Sequence, residues 1–220
     1  MLKLPRLTIL PVLLLLLASF SLQAQEKARL PYAIVADYLE VFKSLHHLDL
    51  IVPGMMIMSI DPTVKPPSIE FKILDDGEWE TFNPDVHGNI EFPDRPDWMD
   101  LTLLSNQPKG TLQLVVVFSA RRVEETSVTY QQLMALVPQF EEAMSVLAEK
   151  QGQAGQEVKG LTITFAEGTG ASVNILSAKR KKTLKSNSAG MVIVHYNDTL
   201  WAENPTVEFS QAPIGIMPLQ

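Results

Sequence analysis

Phe71-Lys72-Ile73-Leu74 and, 102 residues later, Val173-Asn174-Ile175-Leu176 share one pattern: apolar side chains at the first and third positions and a closing leucine. The likeness continues downstream. In the same register Thr81-Phe82 falls on Thr183-Leu184, Gly88 on Gly190, and Ile90 and Phe92 on Val192 and Val194. A register of 105 lays Ser105-Asn106-Gln107-Pro108-Lys109-Gly110-Thr111-Leu112 on Ser210-Gln211-Ala212-Pro213-Ile214-Gly215-Ile216-Met217, so that serine, proline and glycine recur in place. At 98, Tyr32 and Phe42 land on Tyr130 and Phe140. Passing between these registers takes only short loop insertions, which cost little chain entropy. The expectation is a tandem repeat, with one unit over residues 25–126 and a second over 127–220.

Each unit reads as one helix followed by antiparallel strands. Ile34, Tyr38, Val41, Phe42 and Leu45 recur at helical spacing, with Asp37, Glu40 and Lys43 on the other side. A second helix is predicted from Thr129, where Thr129 and Gln132 have the spacing of a capping box. Pro138 must kink this helix or stand in the first turn of a new one. Between and after the helices, apolar runs separated by turn residues predict six strands per unit, the later ones including 181–185, 191–196 and 215–219. Such sheets offer one apolar face, which the helix can cover, so the fold class is α+β. By architecture alone the arrangement is cystatin-like, and two units in tandem are β-lactamase-inhibitor-like; the analogy carries no function.

Residues 1–24 predict a signal peptide: Lys3 and Arg6 precede the apolar run Leu7 to Ala18, and Leu22-Gln23-Ala24 ends in a small residue. The run is too short to span a bilayer, and no later stretch is long enough, so no transmembrane segment is expected after cleavage. With no cysteine the exported chain must be stable by packing alone, which suggests a periplasmic location. Loss of Lys3 and Arg6 takes the net charge from −7 to −9, which argues against nucleic acid or anionic lipid as the principal partner. Residues 26–126 hold 17 acids against 9 bases, whereas residues 127–220 hold 8 against 7. In that second part Lys179, Arg180, Lys181, Lys182 and Lys185 form a basic run, read either as a solvated hairpin that discourages edge pairing or as a docking site for an anionic partner.

Tyr130-Gln131-Gln132-Leu133 with Val137-Pro138, the strand Gly160-Leu161-Thr162-Ile163-Thr164-Phe165 and the stretch Pro213 to Pro218 resemble uncharacterised exported proteins of gammaproteobacteria. The resemblance covers about the last 90 residues and implies export without implying a reaction.

No catalytic spacing stands out. Met55, Met56 and Met58, with His46 or His47, could form a thioether-rich copper site, or Met55 to Met58 could simply fill a core. Asp94, Asp97 and Asp100 could serve a small exported hydrolase if a second acid faced them, while Asp75-Asp76-Gly77 and the Asp94 to Asp100 segment read more simply as turns. There is no nucleophile elbow, and His46, His47, His87 and His195 form no ligand motif. Trp79 and Trp98 are aromatic side chains in polar surroundings, where a ring can anchor a partner or staple a loop. The favoured expectation is a non-catalytic periplasmic binding protein without a cofactor. Its partner is a protein or envelope component, and its candidate interaction residues are Trp79, Trp98, Lys179, Arg180, Lys181 and Lys182.

Overall fold

The computed structural model describes residues 26–121, 125–178 and 180–220. The signal peptide expected over residues 1–24, and Lys179, lie outside the described residues. The fold is α+β with antiparallel sheets. Two strands that the apolar pattern does not announce lead into the helices: β1 (Lys27–Pro31) enters α1 (Tyr32–Ser44), and β8 (Ser127–Thr129) enters α2 (Tyr130–Met134). Both are short strands with few apolar side chains to read. The capping box forms as expected, with the Thr129 hydroxyl accepting from Gln132 N and the Gln132 side chain accepting from Thr129 N. Ala135 joins α2 to α3 (Leu136–Lys150), whose first turn holds Pro138, where a missing N–H leaves no helical bond unmade.

The first half continues through β2 (Ile51–Ser59), β3 (Phe71–Asp75), β4 (Glu78–Phe82), β5 (Asn89–Ile90), β6 (Thr102–Pro108) and β7 (Leu112–Ala120). The second continues through β9 (Gly160–Thr164), β10 (Ser172–Leu176), β11 (Lys181–Lys185), β12 (Met191–His195), β13 (Thr206–Phe209) and β14 (Gly215–Leu219). The four-stranded sheets are ordered β1-β6-β3-β4 and β8-β13-β10-β11, and the three-stranded sheets β5-β2-β7 and β12-β9-β14. Strand for strand, the two orders are the same. The connection from β5 to β6 carries a 3₁₀ turn (Pro96–Trp98), and the one from β12 to β13 carries the short helix α4 (Asp198–Glu203).

Hydrogen bonds fix the register of this likeness. Asp85 Oδ1 accepts from His87 N and Asn89 N, and Asn187 Oδ1 accepts from Ala189 N and Met191 N. Behind these turns the carbonyls of Gly88 and Gly190 accept from Ile57 N and Phe165 N at 2.8 and 2.9 Å. Later strands depart from the register of 105. Phe71 lies opposite Ser105 whereas Val173 lies opposite Phe209, so Asn106, not Ser105, holds the place of Ser210. Asn106 Oδ1 accepts from Glu70 N at 3.0 Å as Ser210 Oγ accepts from Ser172 N at 2.9 Å. Matching serine to serine slips the strand by one residue, which would turn buried Ser105 outward. Pro108 and Pro213 are not equivalent either: Pro108 pairs with Lys27 inside β6, and Pro213 lies between β13 and β14.

The helices do not each cover only their own sheet. Tyr32 and Val35 at the start of α1 pack with Met55, Ile57, Phe71, Ile73 and Leu103 in a first-half core. Val41 and Leu45 further along, with Ile51 and Phe118, join a larger core with Tyr130, Phe140, Leu161 and Val173. Phe42 touches both cores. Val35 is buried in place of the expected Ile34, which is 42% exposed. Polar links fasten α1 and the turn after it to α3: Lys150 to Asp37 at 2.7 Å, His47 to Glu142 at 2.7 Å, and Gln139 to both Asp49 and Leu50 N.

Gly190→Ala should be costly, because φ is +74° and an added Cβ would stand 2.3 Å from the Phe165 carbonyl oxygen. Gly110, at φ +78°, has open space around its Cβ position. Urea titration should show Gly110→Ala losing about 1–2 kcal/mol and Gly190→Ala clearly more, since only the second must also move a strand. Burial pushes the Tyr130 phenol up to about 12, the Asn197 N–H partly opposing it. A neutral form favoured by folding contributes stability that is complete below the unfolded value of about 10 and is lost as pH rises from there through the folded value. Tyr130→Phe should therefore remove a component of alkaline unfolding between about pH 10 and 12, read by far-UV circular dichroism.

Candidate functional site

Of the two tryptophans singled out, Trp79 is exposed and Trp98 is not. Trp79 stands on the edge strand β4 opposite Leu74, and the pair is 55% and 46% exposed. Trp98 is fully buried, edge-on to Tyr32 with ring centroids 5.4 Å apart. The expectation that it anchors a partner is thus corrected: its Asp/Pro-rich surroundings read as exposed loop, but the 3₁₀ turn rolls the ring into the core. The Arg95 guanidinium covers the ring, 4.5 Å from its centroid. From there it reaches Asp97 at 2.7 Å, Asp75 at 2.9 Å and Glu80 at 3.8 Å.

This network and its neighbours occupy the carboxylates that a hydrolase would use. The hydrogen bond from Arg95 holds Asp97 below the usual carboxylate range, the opposite of what a general acid needs. Asp94 pairs with Lys43 at 2.8 Å, which raises the lysine further above its ordinary value. Asp100 is exposed at the end of the loop.

Nor do the methionines and histidines converge. Met55 and Ile57 face the core, whereas Met56 and Met58 lie on the opposite face of β2, with Met58 48% exposed. Both ring nitrogens of His47 are engaged, Nδ1 with Ser44 O and Nε2 with Glu142, and His46 Nδ1 lies 2.9 Å from Lys43 O. Among the described residues no three His, Asp or Glu side chains gather in a way that could hold a metal ion.

Arg180, Lys181 and Lys182 lead into β11, the edge strand of the second four-stranded sheet, and are exposed. Residues that the sequence pattern does not single out form a cleft at the seam between the halves. There β14 lies against β7 without joining its sheet. The C-terminal part of α3 and the chain after it roof a space of about 420 Å³. Val116 and Phe118 from β7, Met217 from β14, and Met144 and Leu147 from α3 supply apolar walls, and Gln151, Gln153, Gln156 and Gln220 supply amides. Among the described residues no titratable side chain lines it.

Arg95→Gln should lower stability at neutral pH by releasing three carboxylates from their shared cation. Because the folded value of Asp97 is depressed, its contribution is present above the ordinary carboxylate value of about 4 and is lost as pH falls below it. Thermal melts of the variant and the natural protein should differ at pH 7 and converge near pH 2. Comparison of the chain with protein families, curated proteins and solved structures finds no match, so the functional reading rests on the geometry of these residues.

Proposed function

We propose that this chain is a non-catalytic binding protein of the periplasm, exported by the signal peptide read in residues 1–24 and built from a duplicated helix-plus-sheet unit over residues 25–126 and 127–220. The duplication is supported by the common strand order and by the matching Asp85 and Asn187 turns. Export is supported by the basic start, apolar run and small-residue end of the leader, and by the likeness to exported gammaproteobacterial proteins in the last 90 or so residues.

One observation carries the binding role: the seam between the halves holds an apolar cleft of about 420 Å³, rimmed by amides and with no titratable side chain among the described residues that line it. Acid–base and nucleophilic catalysis need a group that gains or loses a proton, or a nucleophile activated by one. Apolar walls with amide donors and acceptors instead suit a partner that presents an apolar side chain beside backbone or other neutral polar groups. We place a protein or envelope component there.

A photoreactive amino acid at Met217, which is 39% exposed, should crosslink to one component of the native envelope. Leu147→Trp, which fills the cleft from α3, should reduce that adduct at least about tenfold, equivalent to about 1.4 kcal/mol of binding. A Met217 probe that yields no specific adduct, or an adduct indifferent to Leu147→Trp, would remove the reading.

A further inference from the structure

The same position in the two halves has been closed in one and left open in the other. In the first half the space between the β3–β4 hairpin and the 3₁₀ turn is filled by Trp98, capped by Arg95, and neutralised by Asp75, Asp97 and Glu80. The matching space in the second half, between the β10–β11 hairpin and α4, is a cavity of about 400 Å³.

Strand pairing sets the correspondence: Leu74–Trp79 and Ile73–Glu80 in the first hairpin match Leu176–Lys181 and Ile175–Lys182 in the second. Ser177 then stands where Asp75 stands, Lys182 where Glu80 stands, and Lys181 where Trp79 stands. Beyond the hairpins, the carbonyls of Pro93 and His195 receive the hydroxyls of Tyr32 and Tyr130, which puts Asn197 in the place of Arg95 and Leu200 in that of Trp98.

The exchange removes both carboxylates on the hairpin side and the ring that filled the space. What remains is lined by Arg180, Lys181, Lys182, Ser177 and Asn197. Among the described residues none of the three cations makes an ion pair, although the chain as a whole is acidic. Protection of a sheet edge accounts for lysines on β11, but not for an emptied space beside them. The nearest carboxylate in the sequence, Asp198, is not part of the lining.

We propose that this cavity binds a phosphate-bearing anion, independently of the cleft between the halves. Three cations match the two or more charges of a phosphate monoester or diphosphate better than the single charge of a carboxylate, and the Asn197 amide adds a neutral donor. The volume exceeds what a phosphate group alone fills, so the phosphate is carried on a larger body. That body is either a soluble compound or a phospholipid.

Calorimetry of the full chain with inorganic pyrophosphate, and flotation with vesicles containing phosphatidic acid, a phosphate monoester, against phosphatidylcholine vesicles, separate the two sources. Pyrophosphate binding with Kd below about 1 mM and no flotation places the phosphate on a soluble compound; flotation with the phosphatidic acid vesicles alone places it on a lipid. In either case K181Q/K182Q should weaken binding at least about tenfold. Leu200→Trp, which refills the cavity without touching a cation, should do the same, with Leu200→Phe as the substitute if the tryptophan variant does not fold. Failure of both probes to bind overturns the proposal. So does retention of binding when the cavity is refilled, because the charges would then be acting from the open surface.

Discussion

A buried tyrosine at the first residue of a helix holds each half of this molecule together. Tyr32 and Tyr130 are both fully buried, and their hydroxyls donate to backbone carbonyls at matching places, Pro93 after β5 in one half and His195 at the end of β12 in the other. Their backbone N–H groups donate to Leu101 and Pro205, just ahead of β6 and β13. Each tyrosine therefore ties a helix start to the chain on both sides of the 3₁₀ turn or of α4. A buried phenol without a partner costs about 1–3 kcal/mol, so the ring can sit in the core only if that connection runs where it does. The hydrophobic contribution of the ring and the path of the chain are thus a single constraint.

The second constraint is that the larger core is shared. Val41 and Leu45 from α1 bury their side chains with residues of the second half, and Phe42 bridges the two clusters. Half-helices that complete a neighbour's core leave each unit short of apolar cover when alone. This is the physical reason to treat the halves as mutually dependent even though their sheets are separately hydrogen-bonded. The polar contacts between α1 and α3 are exposed and contribute little by themselves; they orient surfaces that burial already brings together.

Much of this was legible in the sequence, where burial on one face imposes an alternation. The strands Lys181–Lys185 and Gly215–Leu219 have the limits that alternation and turn residues predict. The Thr129 capping box followed from local chemistry, and of the two courses open at Pro138, a kink or a new helix, the second forms. What escaped lacked a local signal. Lys27–Pro31 and Ser127–Thr129 are strands because a neighbour offers them hydrogen bonds, and they have few apolar side chains to mark them. Ser105 was aligned by identity with Ser210, although the pleat, which decides what is buried, pairs it with Phe209. Trp98 was misplaced because composition cannot tell a loop that faces water from one that turns a ring inward. The cleft was invisible for a further reason: β7, α3 and β14 contribute to it from segments far apart in the chain, and none of them carries a motif.

The two halves treat one position in opposite ways. Arg95 satisfies three carboxylates and covers an indole, an arrangement in which every charge has an internal partner. The network is partly exposed, and because its members neutralise one another it has little left to offer a ligand. Replacing the acids by Ser177 and Lys182, and the indole by Leu200, reverses both properties: the cations lose their internal partners and the space loses its filling. A folded chain gains nothing in stability from like charges gathered around an unfilled space. Such an arrangement persists at a stability cost that the shared core and the two tyrosine ties are able to offset, which is the pattern expected of a binding site set on a scaffold whose stability lies elsewhere.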